Sequence, residues 1–256
     1  MEEPKIIQVT AGNIATEHIC CAISDKKCTE GYNAKKEWLK EQFQQGFVFK
    51  KLNVRHKVFI EYVPVEAGWQ PIDAPNYMLI NCFWVAGSFK GKGHGKQLLQ
   101  ECLDDSQNMD GVVVVTGKKK MPFMSDPKFF KKMGFEKVDT ALPYFELWCK
   151  RNNPNAPLPK FKETAKSGAC PNKEGLTVYY SNACPFTEYW VNTMMKGIAE
   201  KKGLSLEIHK TTTQAQAHQL PVPFFIHSVF YKGTFLAQEI LTEKRFDKMM
   251  AKLEGN

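Results

Sequence analysis

The sequence predicts an α/β (α+β) protein in two parts, on three observations. Segments of strand length alternate with segments of helical periodicity over the first 150 residues, and the alternation resumes near residue 174. The segment Gly111–Thr116 (GVVVVT) is apolar without interruption, which is typical of a strand buried on both faces. Residues 151–173 hold four prolines and few apolar side chains. We therefore expect a first domain at 1–150, a linker at 151–173 and a second domain at 174–256.

Composition and charge limit the classes of function. The 256 residues are 43% hydrophobic and carry a net charge of +8, so the chain can fill one large core or two small ones. The lysines are scattered through predicted helices and turns, without the interleaved aromatic residues of RNA-binding surfaces. We expect no nucleic-acid partner, because a polyanionic small molecule explains the charge more simply.

The sequence also predicts the cellular location of the protein and the chemical state of its cysteines. No apolar run reaches the length of a membrane span, and the first ten residues lack the regions of a signal peptide. We expect a cytoplasmic protein with no membrane partner; its oligomeric state stays unknown. The eight cysteines are expected to be mostly thiols, and without a Cys-x-x-Cys motif we expect no metal site.

The first domain is expected to begin with a strand at 5–9 and two helices. Asn13 is interpreted as the cap of the first helix and Asn33 as the cap of the second, which Gly46 ends. The remaining elements are then predicted as strands at 47–52, 57–63 and 78–85, a helix, a strand at 111–116, a helix at 126–133, and strands at 135–138 and 144–150.

The most informative segment is Tyr77–Leu99 (YMLINCFWVAGSFKGKGHGKQLL). It predicts an apolar strand, a turn, a loop rich in Lys and Gly at 90–95, and a helix. Glycines let a backbone approach a ligand closely, and the start of a helix presents unpaired N–H groups and a positive dipole end. Lys90, Lys92 and Lys96 add charge, so the segment predicts a site for a phosphate-bearing ligand.

This segment resembles the Arg/Gln-x-x-Gly-x-Gly/Ala signature with which GNAT acetyltransferases bind the pyrophosphate of acetyl-CoA. Lys90, Gly93 and Gly95 stand at the matching positions, with lysine in the Arg/Gln place. The element order over residues 5–150 and the segment Ser125–Ala141 (SDPKFFKKMGFEKVDTA) are also similar to the family. The resemblance implies a mixed, mostly antiparallel sheet flanked by helices, with acetyl-CoA as co-substrate and an amine as acceptor.

The resemblance also implies a set of binding residues. Backbone groups at 83–86 would hold the pantetheine arm, and amides at 91–96 would hold the pyrophosphate. The residues expected to bind the co-substrate are Phe83, Trp84, Val85, Lys90, Gly91, Lys92, Gly93, His94, Gly95 and Lys96. We expect the His94 side chain to point to solvent.

The proton-transfer groups are less well defined, because the strand at 78–85 carries no carboxylate. Glu61 is the best candidate for the general base, since a charged residue in an apolar strand is either solvent-facing or functionally placed. Many family members carry a tyrosine four residues before the glycine of the Gly-Phe turn; this chain has Phe130 there. Either Ser125 or Tyr144 donates the proton, or the thiolate leaves without a positioned acid.

The second domain contains Cys184 at the start of a predicted helix, where a thiol is stabilised as thiolate. The order of elements in this domain resembles that of a thioredoxin-like α/β domain: a strand, a cysteine at a helix start, a strand, a helix, Val-Pro, a hairpin and a last helix. In this resemblance Pro223 matches that family's cis-proline. The whole combination resembles the YoaP-like GNAT proteins. Thr187 stands where a redox pair would have its second cysteine, which leaves monothiol chemistry at Cys184 or a fold used for binding.

These observations favour an acetyl-CoA-dependent N-acetyltransferase that transfers the acetyl group directly, in a ternary complex, to a small-molecule or peptide amine. Two alternatives stay open: a monothiol redox protein that uses Cys184, and a non-catalytic acyl-CoA-binding module. We interpret Trp69, Trp84 and Tyr62 as core aromatics, with the lining of an acceptor pocket as the alternative.

Overall fold

The computed structural model describes residues 4–19 and 21–254. In chain order its strands are β1 (Ile6–Val9), β2 (Val48–Leu52), β3 (Val58–Pro64), β4 (Ile72–Asp73), β5 (Tyr77–Val85), β6 (Gly111–Gly117), β7 (Glu136–Ala141), β8 (Phe145–Arg151), β9 (Lys160–Phe161), β10 (Leu176–Tyr180), β11 (Leu206–Lys210), β12 (His227–Tyr231) and β13 (Thr234–Ala237). Its α-helices are α1 (Thr29–Phe43), α2 (His94–Asp105), α3 (Pro127–Lys132), α4 (Thr187–Tyr189), α5 (Lys196–Lys202), α6 (Gln214–Ala217) and α7 (Glu243–Glu254). No helix within these residues has the length and apolar character needed to cross a bilayer.

The larger sheet has the order β1-β2-β3-β5-β6-β8-β7. β5 and β6 run parallel, and every other neighbouring pair in this sheet is antiparallel. Helices cover both faces: Phe59 of β3 belongs to the same apolar cluster as Trp38 of α1, whereas Ile60 clusters with Leu98 of α2. This alternation follows from the two-residue period of a strand. The predicted mixed, mostly antiparallel sheet flanked by helices is confirmed.

The predicted helix after Asn13 is wrong. Residues 11–16 form turns instead, in which the Asn13 side chain accepts a hydrogen bond from the Thr10 N–H and donates one to the Gln8 carbonyl. These local bonds compete with helical ones, and Ala22 adopts a left-handed φ of 61° that a continuing helix cannot accommodate. The next helix, α1, begins at Thr29 rather than after Asn33, and Gly46 follows its end with a φ of 87°.

The smaller sheet has the order β11-β10-β12-β13, in which β10 and β11 are parallel and the other pairs antiparallel. A π-helical segment at Trp190–Met195 joins α4 to α5. This segment contributes Val191 to the core of the smaller sheet, α5 contributes Ile198 and α7 contributes Phe246. The thioredoxin-like description stays a prediction. The match of Pro223 to a cis-proline is wrong, because the cis peptide bond among the described residues is Leu142–Pro143. The path after Pro223 is instead governed by Phe224 and Phe225, which pack on the larger sheet's unit.

The two sheets share one apolar cluster. Phe225 lies 5.7 Å from Trp69, and Phe235 lies 5.5 Å from Phe145, measured between ring centroids. Polar contacts add to this junction: Gln214 Nε2 and His218 Nε2 both contact the Gly68 carbonyl at 2.9 Å. The segment predicted as a linker also contributes, because Phe161 is buried and β9 pairs with β4. The domain boundaries themselves stay a prediction.

Replacing Phe225 by alanine is expected to lower the free energy of unfolding by about 3–5 kcal/mol, the usual cost of removing a buried phenylalanine. Because Phe225 is 2% exposed and belongs to the shared cluster, urea denaturation should show one transition that shifts as a whole. Phe123→Ala is the matched control, since Phe123 is 42% exposed. Two separate transitions, of which the first unit's is unchanged, would contradict the shared core.

Candidate active site

The site begins where β5 and β6 part. Their parallel pairing ends at Ile80 and Val114, after which β5 continues beside β3 as far as Val85 while β6 continues beside β8. The register of β5 against β3 shifts between Glu61 and Tyr62, and this bulge bends the strand at the same point. A wedge therefore opens beside the last residues of β5, where an extended ligand can take the place of a neighbouring strand.

A glycine-rich loop closes the wide end of the wedge. Gly91 and Gly93 have φ values of 77° and 86°, in the left-handed region that side chains other than glycine's rarely adopt, and Gly93 caps α2. Gly95, in the first turn of α2, is packed closely: a Cβ there would lie 3.4 Å from the Phe83 ring and 3.5 Å from the Phe129 ring. The loop thus brings the N-terminus of α2 to the cavity with its backbone exposed.

The resulting cradle cavity has a volume of about 700 Å³ and lies between β5, the loop and α3. One wall is apolar, with Phe83, Val85 and Phe129. The predicted binding residues that line it are Phe83, Trp84, Val85, Lys90, Gly91, Gly93, His94, Gly95 and Lys96. Lys92 lies outside this lining, with its Nζ 5.9 Å from the centre of the Phe89 ring.

Charge at the cradle cavity is mainly positive. Lys120 and Lys132, which sequence reasoning did not select, line it together with Lys90 and Lys96, and Asp126 is the acidic residue of the lining. Asp126 caps α3 by accepting a hydrogen bond from the Lys128 N–H. An apolar wall, a ring of lysines and a helix N-terminus fit a ligand with an apolar arm and phosphate groups. Lys120 and Lys132 carried no sequence signal beyond their charge.

Two expectations about single side chains are changed by the structure. His94 is 6% exposed rather than solvent-facing, because its Nδ1 lies 3.0 Å from Gln97 Oε1 and its ring lies 5.8 Å from that of Phe89. Phe130 is fully buried among apolar residues and does not line the cavity. Of the two proposed proton donors, Ser125 lines the cradle cavity, whereas the Tyr144 hydroxyl is hydrogen-bonded to Gln238.

Glu61 is not solvent-facing, and it does not line the cradle cavity. Its carboxylate lies 2.5 Å from Lys35 Nζ, and both side chains are 2% exposed. Burial raises the pKa of Glu61, and the charge of Lys35 opposes that rise. Glu61 is opposite Cys82 of β5, one residue from the bulge, so it lies beside the point where the wedge opens.

Cys184 and this ion pair all lie near Cys21, although Cys184 belongs to the second unit. Burial raises the pKa of the Cys21 thiol to about 12, and the neighbouring groups that affect it include Cys184, Lys35 and Glu61. α1 and α4 are in direct contact here, since a Cβ at Gly31 would lie 3.3 Å from the Cβ of Glu188 in α4 and 2.3 Å from the carbonyl oxygen of Pro185, which precedes that helix. The structure therefore brings the two predicted catalytic residues to one junction, which sequence separation alone did not indicate.

Asn81 is a residue that sequence reasoning missed. It is the extra residue at the bulge in β5, and its Oδ1 is buried without a hydrogen-bond partner within the described part of the chain. An unsatisfied buried acceptor costs about 1–3 kcal/mol, so Asn81 Oδ1 retains the capacity to accept a hydrogen bond at the bulge of β5. The available signal was an amide in a strand that is otherwise apolar from Met78 to Val85.

A parallel strand pair that parts beside a glycine-rich loop and a helix N-terminus forms a binding site suited to an extended, phosphorylated ligand. Comparison with known proteins makes this specific. The model for the acetyltransferase (GNAT) family matches residues 15–135, and a model described as YoaP-like matches residues 205–248. The uncharacterized N-acetyltransferase YoaP of Bacillus subtilis (strain 168) is 42% identical over 246 residues, which is 95% of this chain and 97% of that protein. The chain belongs to the GNAT family; it is an N-acetyltransferase with acetyl-CoA as co-substrate.

Solved structures of the family are more distant in sequence. The PaiA N-acetyltransferase of Thermoplasma acidophilum, solved with coenzyme A, is 16% identical, with a TM-score of 0.41 over 59% of this chain and 99% of that one. YhbS of Escherichia coli, also solved with CoA, is 14% identical, with a TM-score of 0.39 over 62% of this chain and 90% of that one.

Proposed function

We propose that the protein transfers the acetyl group directly from acetyl-CoA to a bound amine, without an acetylated enzyme. The observation that carries this proposal is the wedge between β5 and β6, which ends in the cradle cavity. Acetyl-CoA supplies a thioester whose carbonyl carbon an amine attacks. The chain's contribution is to hold both reactants at close distance and in a fixed orientation, which can account for most of the rate enhancement over the uncatalysed reaction.

Binding of the co-substrate is assigned to the residues that line the cradle cavity. Amides at 91–96 and the α2 N-terminus face the phosphates, with Lys90, Lys96, Lys120 and Lys132 adding charge. Backbone groups of Phe83, Trp84 and Val85 along the open edge of β5 hold the pantetheine arm. Asn81 lies outside this lining, at the bulge of β5, and its Oδ1 is the proposed acceptor for a ligand N–H. Ser125 is the proposed proton donor to the leaving thiolate, because it lines the same cavity.

Glu61 is the proposed general base. Burial raises its pKa and so makes the carboxylate a stronger base than an exposed glutamate, the charge of Lys35 opposes that rise, and the contact with Lys35 Nζ holds the carboxylate in one orientation. Because Glu61 does not line the cradle cavity, the proposal includes a water molecule that relays the proton from the amine to its carboxylate. The cytoplasmic location and the three-part domain division of the chain remain predictions from the sequence.

The test of direct transfer is an initial-rate study in which acetyl-CoA and an accepted amine are varied together. We expect intersecting double-reciprocal lines and no acetylated protein by intact mass after incubation with acetyl-CoA alone. Parallel lines, or an acetyl group on Cys184, would instead indicate a covalent intermediate. The Cys184→Ser variant distinguishes these cases, since direct transfer predicts an unchanged rate in that variant.

A further inference from the structure

A second cavity lies beside the end of β5, on the face of the sheet opposite to the cradle cavity, and it has no role in the proposed binding of acetyl-CoA. This junction pocket has a volume of about 720 Å³ and is lined by the 22–25 loop, the β2–β3 turn, the end of β5 and Phe186 of the second unit. Phe83 and Val85 point towards α2 and α3, so Trp84 between them points to the opposite face of the sheet. Trp84 is 42% exposed and lines both cavities.

Two cations on the wall of the junction pocket have no counter-ion in the described part of the protein. Arg55 and Lys57 line the pocket, and within residues 4–19 and 21–254 neither forms a salt bridge. The lining also includes one carboxylate, Asp25, whose Oδ1 accepts a hydrogen bond from the Lys27 N–H, so the two cations exceed the negative charge by one. His56 adds a further polar group on the same turn. The pocket is therefore a positively charged concavity beside the acyl-transfer point.

A guanidinium and an ammonium that face a cavity suit an oxyanion, and arginine binds carboxylate and phosphate in a bidentate manner. We infer that the junction pocket is the acceptor site and that the acceptor is a small primary amine carrying an anionic oxyacid group, held by Arg55 and Lys57. This inference rests on the proposed function. It also gives the second unit a role, because Phe186 is part of the lining of this pocket.

The test is equilibrium binding of matched amines to the full chain saturated with CoA, followed by turnover of the same amines with acetyl-CoA. The pairs are leucine against leucinamide, and phosphoethanolamine against ethanolamine, so that carboxylate and phosphate are distinguished. In at least one pair we expect the anionic amine to bind about 10- to 100-fold more tightly than its neutral partner, the range for a charge-assisted hydrogen bond. Arg55→Ala should remove this preference.

Lys248→Ala is the matched control: it also removes one positive charge, but from an exposed position on α7. Phe186→Ala should weaken binding of both members of a pair while keeping the preference. Equal affinities within both pairs, or no binding of either anionic amine, would overturn the inference. So would an Arg55→Ala variant that raises KM for acetyl-CoA instead of weakening amine binding. If the binding pattern holds but no amine is acetylated, the proposed function fails and the anion site stands.

Discussion

Replacing Glu61 by glutamine is expected to destabilise the fold by about 3–5 kcal/mol, because Lys35 keeps its buried charge and loses the carboxylate that compensates it. Urea denaturation measures this loss directly. The control is the exposed pair Lys40–Glu37 of α1, where Glu37→Gln should change stability by no more than about 0.5 kcal/mol. A small effect at Glu61 would show that the buried pair contributes little to the fold.

The double variant Lys35→Met/Glu61→Leu separates structure from catalysis. Replacing both charges by apolar groups of similar size leaves no buried charge uncompensated, so stability is expected to return to near the wild-type value. If Glu61 is the general base, kcat of this variant falls by about 100-fold or more. A wild-type rate in the folded double variant would assign Glu61 a purely structural role.

The pH profile provides a second readout of the same pair. The deprotonated carboxylate is the base, so the wild-type rate should rise with pH through the Glu61 pKa and level off above it. Burial raises the pKa of Glu61, which moves this rise to higher pH than for an exposed glutamate, and Lys35 opposes the move. The acidic limb should be absent in the double variant. If the double variant keeps an acidic limb at the same pH as the wild type, that limb reports the titration of another group.

Replacing Gly95 by tryptophan is expected to lower kcat/KM for acetyl-CoA by about 100-fold or more, as displacements of about 1 Å at a positioned reactant can. Even a Cβ at this position would lie 3.4 Å from Phe83 and 3.5 Å from Phe129, so an indole must enter the cradle cavity or push these rings apart. Steady-state kinetics and CoA titration measure the loss of binding.

Gly197→Trp is the matched control for Gly95→Trp. Gly197 lies in helix α5, is exposed, and has nothing within 4 Å of the position that a Cβ would occupy, so this variant should keep wild-type kinetics. Thermal unfolding of both variants separates a blocked cavity from a damaged fold. Unchanged kinetics in a folded Gly95→Trp protein would exclude the cradle cavity as the co-substrate site.

Local sequence was enough for the elements that depend on local chemistry. The strand, glycine loop and helix of Tyr77–Leu99 were predictable because each glycine and lysine acts through its own backbone conformation or charge. The predicted helix at Asn13 failed because side-chain bonds within that turn compete with helical bonds. The prediction that His94 points to solvent failed because its burial depends on contacts with Gln97 and Phe89, which do not follow from the periodicity of the sequence.

The sequence by itself determined the chemistry of this protein: a mixed sheet, a phosphate-binding loop before a helix, and an acetyl-CoA-dependent reaction. Only the tertiary structure decided which residues from distant parts of the chain come together near the end of β5. It paired Lys35 with Glu61, brought Cys184 from more than 100 residues away to Cys21, which both charges also influence, and placed Phe186 and Arg55 in the lining of one pocket. The physical reason is that loop and helix signals act over a few residues, whereas buried charge pairs and pockets form between segments that meet only when apolar surfaces are removed from water.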